Sequence, residues 1–213
     1  EMRVIGGEPM MNKDIHLIMD RLTSEDKIKR IVIYTNATIP LKDRQVESFI
    51  NDKVMFLITD YHELSRNRER LIDTCQEHGI DYHLQPVGGW VDCAEIKHQN
   101  RTPEENQRVY DYCCAKNNVT LMAGDGKLYN CPFAANGYVL KAFPPEIASQ
   151  GTGDIVNVLD DEPNLKDKIH DFVYRKDFVS ACDYCTGREY AMPNITPAIQ
   201  TRTPLPYTVY EEN

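Results

Sequence analysis

The first half of the chain alternates short apolar runs with amphipathic stretches, and that alternation restricts the fold more than any other feature. Ile31–Tyr34 and Val54–Ile58 are near-continuous aliphatic and aromatic runs of strand length, as expected of strands buried on both faces. Helical patterning lies between such runs. Asn12–Leu22 carries Ile15, Leu17, Ile18, Met19 and Leu22, Lys42–Ile50 follows Pro40, and Leu64–His78 ends at Gly79, a residue suited to a left-handed helix terminus. With strands at Arg3–Ile5, Lys29–Thr35, Val54–Thr59 and Ile80–Pro86, the pattern predicts an α/β fold. Its parallel sheet is wrapped by crossover helices.

The second half changes character. Gly88–Arg101 has no periodicity and reads as a loop. Thr102–Asp111 reads as a helix with Pro103 at its first position and Glu104 and Glu105 in its first turn. Val119–Ala123 and Lys127–Cys131, joined by Gly124-Asp125-Gly126, read as a β-hairpin, and Asn164–Tyr174 as a last helix. Four prolines from Pro193 onward predict an extended tail. These shifts divide the chain into residues 1–100, 101–191 and 192–213. The chain opens directly on a strand, with no preceding turn or cap, and so reads as a fragment of a longer protein.

Composition narrows the function classes. Of 213 residues, 41% are hydrophobic, enough for a substantial core, yet no apolar run approaches the roughly 20 residues of a membrane-spanning helix. The net charge of −9 disfavours broad contact with a phosphate backbone, and no basic stripe with interleaved aromatics occurs. Neither nucleic acid nor membrane is an expected partner. No signal peptide is visible, and the odd count of 7 cysteines argues against a fully paired disulfide framework. Reduced thiols in a cytoplasmic setting, available for metal, are the expectation.

Five cysteines fall in the second half: Cys113, Cys114, Cys131, Cys182 and Cys185. Cys182 and Cys185 form a Cys-x-x-Cys pair in one turn, Cys131 ends the hairpin, and Cys113 or Cys114 ends the preceding helix. Four thiolates from three elements suit either a tetrahedral zinc or a 4Fe–4S cluster. A Cys-x-x-Cys pair also serves thiol–disulfide exchange, which needs one exposed, acidic thiol. Cys75, on an apolar helix face, reads as core.

The spacing is more specific than the residue types. Cys113, twelve residues, Gly126, four residues, Cys131 and then Cys182-x-x-Cys185 resembles the SPASM/twitch arrangement of radical S-adenosylmethionine enzymes. No cysteine follows Cys185, so the resemblance is to the short, twitch-like version. Asp125–Phe133 is similar to that family's hairpin, and Gly126 fits a turn that needs φ > 0. Gly6-Gly7-Glu8-Pro9, directly after a strand, resembles the motif that binds the amino group of S-adenosylmethionine in the same family. The glycines let backbone come close to a ligand, and the Glu8 carboxylate can accept from an ammonium. Thr35-Asn36 ends the next strand where the family often has Thr-Asn-Gly, with Ala37 in place of the glycine. Thr59 ends the following strand where many members place a serine at the cofactor.

That resemblance implies a partial parallel (β/α) barrel, incomplete at its N-terminus, followed by a small cysteine-rich twitch-like domain of β-hairpin and helix. It implies S-adenosylmethionine held by Gly6, Gly7, Glu8, Pro9, Asn36 and Thr59, and an auxiliary 4Fe–4S cluster held by Cys113, Cys131, Cys182 and Cys185. The family's Cys-x-x-x-Cys-x-x-Cys loop, which holds a second, catalytic 4Fe–4S cluster, does not occur in this sequence and is expected from a missing N-terminal segment. The implied activity of the intact protein is reductive cleavage of S-adenosylmethionine to a 5′-deoxyadenosyl radical, which abstracts hydrogen from a small-molecule, peptide or sugar substrate. The implied electron donor is a flavodoxin or ferredoxin. This chain alone is expected to be inactive.

Overall fold

A computed structural model of the chain describes residues 1–122, 124–144, 147, 153–189, 191–197, 203 and 209. The chain divides into two compact units, Glu1–Gly88 and Gly89–Asn213. The boundary lies ahead of the predicted residue 100 because the segment after Gly88 pairs with residues 183–195 and so belongs to the second unit.

In the first unit, β1 (Met2–Val4), β2 (Ile31–Thr35), β3 (Val54–Asp60) and β4 (Asp81–Pro86) form a parallel sheet in that order. Ile31, Val32 and Ile33 are all buried, as a central strand covered on both faces requires. Ile31, Ile33, Phe56 and Ile58 share one core with Met19 of α1 (Ile15–Thr23) and with Leu71 and Cys75 of α3 (Arg68–His78). The fold is thus mixed α/β around a four-stranded parallel sheet.

Two helices are shorter than their patterns predict. The Lys42–Ile50 stretch is α helical only over α2 (Asp43–Val46) and continues as a 3₁₀ turn, Glu47–Phe49, with the ring of Phe49 5.2 Å from that of Phe56 in the core. Helix α3 starts at Arg68 rather than Leu64. Before it, the Ser65 hydroxyl donates to Asn36 O at 2.7 Å and the Asn67 amide to Thr38 O at 2.8 Å, so both side chains bond a neighbouring loop at the helix entry. The helix ends on Gly79, whose φ of 64° supplies the left-handed terminus.

The second unit contains two small antiparallel sheets. Strands β5 (Trp90–Val91) and β9 (Asn194–Ile195) pair in one, and β6 (Thr120–Met122), β7 (Lys127–Tyr129) and β8 (Ile155–Asn157) form the other. Helix α4 (Pro103–Tyr112) opens on a reciprocal cap between Thr102 and Glu105, and α6 (Leu165–Val173) lies within the predicted Asn164–Tyr174. Helix α5 (Pro132–Val139) is unannounced by the sequence: Asn136-Gly137 looks like a turn, and the segment is apolar on all sides. Gly137 is there for packing, since a Cβ would meet the Phe143 ring at 2.3 Å. Of the predicted tail, residues 198–202, 204–208 and 210–213 lie outside the described residues, as does Ala123 of the hairpin. Among the described residues no helix is long and apolar enough to cross a membrane.

Ala37 occupies the left-handed region, φ 53°, and is fully buried. A non-glycine residue there is strained by about 1–2 kcal/mol, while its methyl adds burial worth about 0.8 kcal/mol. Ala37→Gly should therefore change stability by less than about 1 kcal/mol. Ala37→Val, β-branched in the same conformation, should lose more than about 2 kcal/mol. Urea unfolding of both variants checks this.

Candidate metal centre and cofactor loop

The loops at the C-terminal ends of β1, β2 and β3 are joined by one buried polar network. Glu8 is 6% exposed. Its Oε1 accepts from Met10 N–H at 3.2 Å, its Oε2 from Asn36 N–H at 2.9 Å, and the Thr35 hydroxyl lies 2.9 Å from both oxygens. Asn36 O accepts from Ser65, whose hydroxyl also lies 3.3 Å from Thr59 O and itself accepts from Tyr61 N–H at 2.8 Å. Three successive loops are tied in sequence: Glu8 to Asn36, and Asn36 to Ser65. A buried carboxylate is stable only when its lone pairs are occupied in this way.

Glu8 therefore differs from its expected role. Its carboxylate is sequestered among protein donors rather than presented outward, because four hydrogen-bond contacts compensate its burial. Gly6 and Gly7 behave differently. Both are exposed, neither has positive φ, and an added Cβ would meet nothing within 4 Å at either. Neither conformation nor internal packing demands glycine at these positions. Pro9 is buried and starts a 3₁₀ turn behind the glycines. Asn36 Oδ1 accepts from Thr38 N–H at 3.0 Å, and Thr59 Oγ1 lies 3.4 Å from the Gln85 amide.

In the second unit Cys113, Cys131, Cys182 and Cys185 line one cavity of about 30 Å³. Its other walls include Ile96, Val109, Phe133, Phe143 and Val179, with Tyr110 and Asn130, so the cysteines line a mostly apolar space. Among the described residues no three His, Cys, Asp or Glu side chains converge as they would around a single ion. Cys113 caps the C-terminus of α4 and Cys131 the N-terminus of α5, where its Sγ accepts from Ala134 N–H at 3.4 Å. Cys182 lies within the 3₁₀ turn Ser180–Tyr184 and Cys185 follows it, with Cys185 Sγ accepting from Gly187 N–H at 3.3 Å. Gly187 is required there: its φ is 81°, and a Cβ would meet Val109 at 2.9 Å. Cys114 is not among the lining residues; its N–H donates to Arg188 O. Gly126 has φ 67° in the hairpin turn, as its place there predicts.

Burial pushes the Cys182 thiol up to about 12 and the Cys185 thiol up to about 11, and raises Cys131 as well. Backbone N–H donors and neighbouring thiols modify these shifts, but desolvation dominates. Without a metal these are protonated, weakly nucleophilic sulfurs; a metal would displace their protons on binding. Cys75 is core, with its thiol pushed up to about 12 by burial.

Several residues central to this geometry carry no motif. Ser65 is ordinary in sequence, and Arg101 and His98 lie more than 80 residues from the turn that they contact.

In comparisons with known proteins, no family model matches the chain and no curated protein matches it.

Two outcomes follow from these environments. Thr35→Val removes a donor from a buried carboxylate and should cost about 2 kcal/mol in urea unfolding. Alkylation of the metal-free protein by iodoacetamide at pH 8 should be at least about 100-fold slower at Cys182 and Cys185 than at an exposed cysteine, because only the thiolate reacts. Peptide mapping by mass spectrometry measures that ratio.

Proposed function

We propose that the chain is part of a radical S-adenosylmethionine protein. In this reading its first unit contributes a section of the parallel barrel and the loop for the cofactor's amino group, and its second unit is a twitch-like holder of one auxiliary 4Fe–4S cluster. The observation that carries the proposal is the set of four thiols, drawn from three elements, around one apolar cavity. Tetrahedral zinc would need all four sulfurs about 2.3 Å from a single point. The four residue types suit either centre, and it is the cysteine spacing, which resembles the twitch arrangement, that favours the cluster.

Each residue then has a definite task. Cys113, Cys131, Cys182 and Cys185 would ligate the cluster through their thiolates. The N–H groups of Ala134 and Gly187 would donate to the sulfurs of Cys131 and Cys185, offsetting negative charge in a site that excludes water. Gly6 and Gly7 would offer backbone carbonyls to the ammonium of S-adenosylmethionine, with Glu8 acting behind them as the anchor that fixes the loop against Thr35 and Asn36. Asn36 and Thr59 would face the cofactor from the adjoining loops, at the strand ends where parallel barrels bind ligands. When bound, the cluster and S-adenosylmethionine would supply one-electron chemistry that no side chain can.

Thiol–disulfide exchange draws no support from the site, because it needs an exposed thiol of lowered pKa and burial moves Cys182 and Cys185 the other way.

Anaerobic reconstitution of the full chain with ferrous iron and sulfide should give a brown protein carrying about four irons and four sulfides per chain. Cys113→Ala, Cys131→Ala, Cys182→Ala and Cys185→Ala should each lose most of that iron, while Cys93→Ala and Cys75→Ala retain it. A colourless chain that takes up one zinc, or iron uptake indifferent to these four substitutions, would overturn the proposal.

A further inference from the structure

Residues Glu95–Arg101 run along the Cys182–Cys185 turn and bond nearly every group it offers. Ile96 forms an antiparallel bridge with Cys185, Lys97 N–H donates to Tyr184 O at 2.9 Å, and Gln99 N–H donates to Asp183 O at 2.8 Å. Asp183 Oδ1 accepts from Arg101 N–H at 2.8 Å and its Oδ2 lies 3.0 Å from His98 Nε2, whose ring stacks on Tyr184 at 4.6 Å. Arg101 then reaches back with its side chain. Its Nη1 donates to Cys182 O at 3.0 Å and to Cys185 O at 2.9 Å. One guanidinium nitrogen thus fixes the carbonyls of both cysteines in the pair.

This contact does two things. It sets the relative orientation of the two peptide units that carry the thiols, and it brings a permanent positive charge next to them. Asp183 accepts the Arg101 backbone N–H and lies 3.0 Å from His98 Nε2, and among the described residues the guanidinium itself makes no ion pair. A cation beside a thiolate-ligated centre favours its more negative, reduced state.

We infer that Arg101 is the positioning and charge-balancing residue of the four-cysteine centre, holding the Cys182–Cys185 turn in its ligating conformation and raising the reduction potential of the cluster. The inference rests on the 4Fe–4S reading of that centre, which the test separates from it.

The full chain is reconstituted anaerobically with ferrous iron and sulfide as wild type, Arg101→Gln, Arg101→Lys and Lys97→Gln. Lys97 is the control, a cation on the same segment whose side chain makes no bond to the turn. Iron loss to a chelator and the midpoint potential are measured, and circular dichroism of the metal-free forms reports folding. Arg101→Gln should lose iron about 10-fold faster or more, as outer-sphere partners of a metal site do, and its potential should move more negative. Arg101→Lys keeps the charge but is too short to serve both carbonyls equally, so its potential should stay near wild type while iron loss is still accelerated. Lys97→Gln should match wild type in both. If wild type holds iron and sulfide but Arg101→Gln releases iron at the same rate and the same potential, the role of Arg101 is wrong. A potential in Arg101→Lys as low as in Arg101→Gln overturns the charge part. Should Arg101→Gln fail to fold, Arg101→Lys decides alone, and wild-type iron loss in it overturns the inference. A wild type that holds no iron–sulfur centre removes both the centre and the inference.

Discussion

The second unit depends on the bonding between Glu95–Arg101 and the Cys182–Cys185 turn. The turn is five residues of 3₁₀ helix, Ser180–Tyr184, with Cys185 at its end, too short to hold a conformation by its own hydrogen bonds. What orders it is a partner segment more than 80 residues earlier in the chain, which supplies backbone pairing, an N–H donated to the turn's own Asp183 carboxylate, and a guanidinium shared by two carbonyls. Cys113 and Cys131 need no such help, because each sits at the end of a helix that fixes it. These two kinds of support place the four cysteines along the lining of one cavity.

The first unit solves a similar problem with a buried charge. Loops at the end of a parallel sheet have no strand partners of their own, and here one carboxylate gathers them. Glu8 receives N–H groups from its own loop and from the next, and Ser65 carries the connection onward. Such a network specifies one loop arrangement at the cost of desolvating Glu8. Exposed Gly6 and Gly7 stand in front of that anchor as accessible backbone on rigid support.

Parts of this were legible in the sequence because they are local. Buried-strand runs mark β2 and β3, Gly79 marks the end of α3, Thr102-Pro103 with Glu105 marks the start of α4, and Gly126 marks the hairpin turn. The helices that were misjudged fail for reasons outside their own windows: α3 starts late where Ser65 and Asn67 bond the loop after β2, and α5 contains a glycine chosen by the Phe143 ring. The candidate site divides the same way. Cysteine spacing and Gly6-Gly7 can be read residue by residue, whereas Arg101 and Thr35 matter only through partners that folding brings to them. The residue type of Glu8 marks it as an acceptor, whereas its burial against Met10, Thr35 and Asn36 is set by partners that residue type cannot carry.

On the proposed reading, Cys113, Cys131, Cys182 and Cys185 enclose one multi-iron centre. Iron-edge X-ray absorption on the reconstituted full chain tests it most directly. A first shell of sulfur alone together with a short iron–iron shell is the expected result. Iron with nitrogen or oxygen in its first shell, or sulfur-bound metal with no neighbouring metal, would contradict it.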